Sequence, residues 1–175
     1  MMNITSGRLI FHRFSTGDFQ FYYRLVMNED VMKYITGKSL TFELAELRFR
    51  KALDANDKNP RFGFFIVKNK LNEELVGVAK LVETDTRQAE VGYMLLPEHW
   101  GKGYASEMVE CMIRLASEQQ TTDELIGIVD PENTASIRVL TKFGFQLYET
   151  GKFDGLQAAF YKLALIKTMP LTNNE

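Results

Sequence analysis

The seventeen residues from Glu90 to Ser106, EVGYMLLPEHWGKGYAS, constrain this chain more than any other stretch. A strand-like alternation runs to Leu96, and Pro97 stops it. Gly101-Lys102-Gly103 then opens directly into a segment with helical periodicity. At such a helix start the first N–H groups have no partner inside the helix and carry the positive end of its dipole. That is an anion site, best suited to a phosphate, so a phosphorylated cofactor is expected here.

The rest of the chain supplies the elements around this turn. Arg8–Phe14 reads as a first strand, and Thr16 as the cap of a helix carrying Phe19, Tyr22, Tyr23 and Val26. A polar break at Asn28–Asp30 leads to a short helical turn around Met32 and a loop at Gly37–Ser39. A second helix then aligns Phe42, Ala45, Phe49, Ala52 and Leu53. Phe62–Lys68, Leu75–Glu83 and Arg87–Leu96 read as strands, the first two joined by a polar turn at Asn69–Glu74. The helix after the glycine turn directs Ala105, Met108, Val109, Met112 and Leu115 inward, and Glu107, Glu110, Arg114 and Glu118 to water. Leu125–Val129 is a buried-type strand. Asn133 starts a helix that Gly144 ends, and Phe145–Tyr148 and Gln157–Leu165 close the sheet. The order predicts a mixed α/β sheet in one domain over residues 1–175, with 168–175 a flexible tail.

Composition removes several function classes. Hydrophobic residues at 45% and charged ones at 25% are those of a globular protein with a real core. A formal charge of −2 argues against a nucleic-acid partner held by phosphate neutralisation. The single cysteine, Cys111, sits mid-helix at core spacing and leaves no disulfide and no cysteine metal cluster. His12 and His99 lack ligand spacing, so no metal is expected, and His99 reads as a surface residue beside the loop. No apolar run is long enough for a signal core or a membrane span, which implies a cytoplasmic protein without a membrane partner.

Two familiar phosphate loops fit poorly. A P-loop needs GxxxxGK followed by Ser or Thr, which is absent. Gly101, Gly103 and Ser106 imitate a dinucleotide fingerprint, and Asp130 ends the next strand where a ribose-binding acid belongs. However, Pro97–Trp100 separate strand from glycines, and too little chain follows for a doubly wound nucleotide fold.

A second motif, DPENTASIRVLTKFGF at 130–145, changes the balance. Together with VGYMLLPEHWGKGYASE it resembles the GNAT superfamily of acetyl-CoA-dependent N-acetyltransferases. The closer likeness is to the RimJ/RimL-like branch of ribosomal-protein N-terminal acetyltransferases, to which the opening RLIFHRFSTGDF…NEDVMKYITG is also similar. The resemblance implies an acyl-CoA N-acyltransferase fold, with a central, mostly antiparallel sheet flanked by helices. It implies that acetyl-CoA is the cosubstrate and that the strand before the loop splays from its neighbour. Tyr93, Met94, Leu95 and Leu96 then offer backbone groups to the pantetheine arm. The pyrophosphate motif falls on Trp100, Gly101, Lys102, Gly103, Tyr104 and Ala105, with Trp100 where Gln or Arg is usual. The backbone amides of 101–106, ending at Ser106, and Lys102 are left to hold the phosphates. Asn133 matches the residue that touches pantetheine, and Ser136 a polar position near the thioester sulfur. Either also has a local reading, as a helix cap and a first-turn hydroxyl.

Acetyl transfer to an amine needs a neutral amine, a stabilised oxyanion and a protonated leaving thiol. The resemblance gives the oxyanion to a backbone N–H near Met94 or Leu95. Glu90 is the candidate base, against the alternative of an ordinary solvent-facing carboxylate. Ser136 is the candidate acid, with Tyr148 a second. Neutralising a lysine-type amine at pH 7.5 costs about 4 kcal/mol, whereas an α-amine with a pKa near ~8 asks for little, which leans toward an N-terminal or small amine acceptor. The segment 28–42 and the loop 150–156, with Tyr34, Phe153 and Asp154, are where this family shapes its acceptor pocket. A CoA-binding sensor without turnover is the alternative, and the protein is expected to be a monomer or a homodimer formed through the late strands.

Overall fold

In the computed structural model, residues 4–85 and 87–166 are described, so the tail expected over 168–175 lies outside them. Eight strands form one sheet: β1 (Ile4–Thr5), β2 (Leu9–Arg13), β3 (Gly63–Asn69), β4 (Leu75–Asp85), β5 (Gln88–Leu95), β6 (Glu124–Val129), β7 (Gln146–Phe153) and β8 (Leu156–Ala164). Their order is β1-β2-β3-β4-β5-β6-β8-β7. Every neighbouring pair is antiparallel except β5 and β6. A parallel pair needs a crossover, and α4 (Tyr104–Ser117) provides it. The expected mixed sheet, mostly antiparallel and flanked by helices, is the observed fold.

Both faces of the sheet are covered. On one lie α1 (Phe19–Val26), α2 (Glu29–Met32) and α3 (Phe42–Lys58), on the other α4 and α5 (Thr134–Lys142). The central strand β3, GFFIVKN, is therefore nearly all apolar, sending Phe65 and Val67 toward α4 and Phe64 and Ile66 toward α1 and α3. Fully burying a side chain of this size contributes about 1.5–3 kcal/mol. Asn56, buried on α3, stitches its helix to the sheet: Phe64 N–H donates to its Oδ1 at 2.7 Å, and its Nδ2 donates to the Phe64 carbonyl at 3.0 Å.

Some local expectations are corrected. Ser15, not Thr16, starts the first helical segment, because a 3-10 turn over Thr16–Asp18 precedes α1. The backbone N–H and hydroxyl of Ser15 both donate to the Asp18 carboxylate at 2.7 Å. The loop expected over 150–156 is the tip of a hairpin, with β7 running to Phe153 and only Asp154-Gly155 in the turn, both at positive φ. Glu107 does not face water: its carboxylate accepts from the Ser6 hydroxyl at 2.6 Å and pairs with Arg8 Nε at 2.8 Å, with 12% of the side chain exposed. His99 is buried, its Nε2 3.0 Å from the Leu75 carbonyl and its ring edge-on to Tyr104. Cys111 is buried as expected, and burial pushes its thiol pKa up.

Candidate active site

The β5–β6 ladder lasts for only three pairs, Gln88–Glu124, Ala89–Leu125 and Glu90–Ile126. Beyond Glu90 the two strands part, and β5 continues alone beside β4 to Leu95. The Leu96 N–H donates to Val76 O at 3.1 Å, which fixes the phase of the β4–β5 ladder. By its alternation the backbone groups of Met94 face β4, while those of Tyr93 and Leu95 turn toward the open edge. The Leu95 carbonyl is taken there by the Trp100 indole, Nε1 to O 3.0 Å. So Trp100, half-exposed, ties the loop to the strand. The sequence contains no direct sign of this bond.

The loop itself is shaped for an anion. Gly101 and Gly103 have φ of +71° and +79°, which L side chains adopt only with strain, and a Cβ on Gly101 would meet nothing within 4 Å. Gly103 is the N-cap of α4, so the amides of Tyr104, Ala105 and Ser106 open outward. Arg8 flanks them: its Nη1 donates to Lys102 O at 3.0 Å and its guanidinium lies 4.3 Å from the Tyr104 ring centre. Burial alone would raise the pKa of Glu107 under this loop. Hydrogen bonds from Ser6 and Arg8, with the Arg8 charge, outweigh it and hold the carboxyl below its usual range.

A cleft of about 520 Å³ runs along the parted strands. Glu90, Gly92, Tyr93 and Met94 form its floor, and Tyr34, Phe153 and Asp154 line it from the two segments expected to shape an acceptor pocket. Glu90 is not a free surface carboxylate: its Oε1 lies 2.5 Å from Lys80 Nζ, and 14% of its side chain is exposed. Gly92 makes this pair possible. A Cβ there would stand 2.7 Å from Lys80 Cε, so a larger residue would make the lysine shift from its path across the strand to Glu90. Arg48, Lys51 and Lys80, which sequence reasoning missed, also line the cleft, because no motif marks a cation on a helix face.

Asn133 caps α5, its Oδ1 accepting the Ser136 N–H at 3.1 Å. Above the floor, the buried Tyr93 hydroxyl makes no well-formed hydrogen bond with any described residue. Burial raises its pKa, and the Ser136 side chain works in the opposite direction, which brings Tyr93 and Ser136 together. Tyr148 stands apart from the cleft: on the edge strand β7 it is 42% exposed, its ring against Phe160 and Lys162. Among the described residues no group of His, Cys, Asp and Glu is placed to hold a metal, and no helix is long and apolar enough to cross a membrane.

A sheet parted beside a helix whose first amides face outward is the arrangement that the resemblance to acetyl-CoA-dependent N-acetyltransferases implies, and the comparisons agree. Residues 8–146 match the model of the acetyltransferase (GNAT) domain; the chain belongs to the GNAT acetyltransferase family and is an acetyltransferase. The uncharacterized N-acetyltransferase p20 of Bacillus licheniformis is 33% identical over 104 residues, which span 56% of this chain and 58% of p20. The ribosomal L7/L12 alpha-N-protein acetyltransferase RimL in complex with CoA superposes with a TM-score of 0.80 at 14% identity, covering 94% of this chain and 98% of RimL. The spermidine N-acetyltransferase of Vibrio cholerae in complex with CoA and spermine gives 0.75 at 20% identity, covering 90% and 95%. At these identities the two structures establish the fold. Enzymes of this family use acetyl-CoA, and the outward amides, the left-handed glycines and the unpaired Tyr93 hydroxyl fit such a group.

Proposed function

We propose that the chain transfers the acetyl group of acetyl-CoA to a primary amine by direct attack, with a RimJ/RimL-like arrangement of its site. The parting of β5 from β6 immediately after Glu90 carries this reading, because it opens backbone donors beside a carboxylate and a hydroxyl. Acetyl-CoA supplies the acyl group already activated as a thioester. The amides of 101–106, with Lys102, would hold its phosphates, and the outward backbone groups of Tyr93 and Leu95, with the Asn133 side chain, would hold its pantetheine arm; Met94 and Leu96, expected to share this, turn their backbone groups to β4.

Glu90 takes the proton from the amine, directly or through water. The Leu95 N–H faces the negative charge that develops on the carbonyl oxygen. Ser136, with the Tyr93 hydroxyl beside it, returns a proton to the departing sulfur. Balance is complete: a C–N bond forms, the C–S bond breaks, and one proton passes from amine to thiol. Ser136 and Tyr148 both lie outside the cleft lining; Ser136 is preferred because its side chain reaches the Tyr93 hydroxyl, whereas the Tyr148 ring packs on Phe160 and Lys162. The acceptor is a small amine or a protein N-terminal α-amine, since one ion-paired carboxylate suits an amine that is easily neutralised. Thiol release from acetyl-CoA, measured against N-terminal peptides, amino acids and polyamines, tests this. Absence of release with every amine, despite tight CoA binding by calorimetry, would overturn it.

A further inference from the structure

We propose that the acceptor carries a carboxylate beside its amine, and that Arg48 and Lys51 of α3 form the subsite that holds it. This rests on the acetyl-transfer reading of the cleft. The two cations stand three apart on α3, hence on one side of the helix, and both line the cleft. Other cations near the site have partners: Lys80 pairs with Glu90, Arg8 with Glu107, Arg24 with Glu98. Arg48 and Lys51 make no ion pair with any described residue. Tyr22 lines the same cleft, and the Arg48 charge opposes the rise in pKa that burial imposes on its phenol.

The carboxylates in the cleft do not cancel these charges locally. Glu90 is matched by Lys80, and Asp130, which keeps its charge while accepting the Glu132 N–H at 2.8 Å, follows β6 and not α3. Asp154 sits in the β7–β8 turn, an element apart from α3. The cleft is thus bipolar: cationic along α3, balanced at the Lys80–Glu90 pair, and anionic at Asp130 and Asp154. An amino acid fits that polarity, its amine toward Glu90 and its carboxylate toward α3. A planar guanidinium receives a carboxylate through two parallel hydrogen bonds. Tyr22, Tyr34, Phe64 and Phe153 complete the lining, so the side chain carried by this acceptor is apolar or aromatic. A polycation would instead bring like charge against two unmatched cations.

The test separates binding from turnover. CoA-loaded protein is titrated calorimetrically with pairs of product-like probes that differ only in the carboxylate: N-acetyl-phenylalanine against N-acetyl-phenethylamine, and N-acetyl-leucine against N-acetyl-isopentylamine. The acid of each pair is expected to bind about tenfold more tightly, the gain typical of hydrogen bonds to a charged group. Arg48→Ala is expected to abolish the difference, Lys51→Ala to reduce it, and Arg48→Lys to restore part. In turnover, phenylalanine is expected to exceed phenethylamine and spermidine in kcat/KM, with the variants raising KM for the amino acid and leaving KM for acetyl-CoA unchanged. Equal binding of the acid and its carboxylate-free partner in both pairs, or a preference that survives Arg48→Ala, overturns the subsite. A carboxylate preference in binding without thiol release would leave the subsite standing and sink the catalytic reading instead.

Discussion

The two ends of the cleft are built on different plans. The loop end is one continuous stretch, β5 through the start of α4, and works through backbone: outward amides, left-handed glycines, a strand edge left open. The pocket end gathers side chains from α1, α3, β4, β5 and the β7–β8 turn, and works through charge and shape. Backbone chemistry tolerates sequence change as long as φ and hydrogen-bond direction survive, whereas a side-chain pocket changes with single substitutions. One fold therefore keeps its cofactor site while its acceptor varies.

Glu90→Gln probes the difference most strongly. Removing a general base is expected to lower kcat by about 10²–10³ while leaving CoA affinity by calorimetry unchanged, since the loop end does not depend on it. An unchanged kcat would reduce Glu90 to a partner of Lys80.

Glu107→Gln acts beneath the loop end and is expected to be felt as stability. The carboxylate answers Ser6, the Arg8 backbone and the Arg8 guanidinium together. Losing charge-assisted bonds of this kind costs about 2 kcal/mol, or roughly 4–8 °C in Tm for a chain of this size. Because the folded pKa lies below the unfolded one, this stability is fully present above about pH 4.3 and is lost as pH falls through the folded value. Thermal melts across pH 3 to 7 should show the native protein losing its advantage over the variant in acid. Parallel curves would assign the stability elsewhere.

Gly103→Val separates the two ends from the opposite side. A β-branched residue at φ +79° is strained by about 1–2 kcal/mol, so CoA affinity is expected to fall about tenfold. The amino-acid KM at saturating acetyl-CoA should hold. If acceptor KM moved and CoA affinity did not, the loop would belong to the pocket.

Much of the loop end was legible in the chain because its signals are local: Pro97 ends a strand, glycines precede a helical period, Asn133 and Gly144 bracket α5. The same locality misjudged what lies between elements. Glu107 reads as solvent-facing from its helix position, and nothing in the helical period reveals Ser6 and Arg8 folding over it from the turn between β1 and β2. His99 follows the same pattern, its surface reading undone by the Leu75 carbonyl of a neighbouring strand. In the pocket, Tyr34, Phe153 and Asp154 were reached through family resemblance. Arg48, Lys51 and Lys80 were not, because a lysine on a helix or strand carries no mark of what it faces.

Trp100 tests the smallest effect and the finest distinction. If the position served the cofactor as a charged ligand, any aromatic replacement would be neutral, since tryptophan already lacks the charge. The structure gives the indole another task, donating Nε1 to the Leu95 carbonyl and so holding the loop against the last residue of β5. Trp100→Phe keeps an aromatic ring and deletes that donor. The Leu95 carbonyl loses one donor where β5 has already parted from β6, a net loss of about 1 kcal/mol. Because the carbonyl and the N–H of Leu95 share one strand position, loosening it should blur the proposed oxyanion donor as well as the loop. CoA affinity and kcat are therefore each expected to fall by no more than about fivefold, and together. A fall in affinity alone would confine Trp100 to the loop, and a fall in neither would leave the hydrogen bond without a functional consequence.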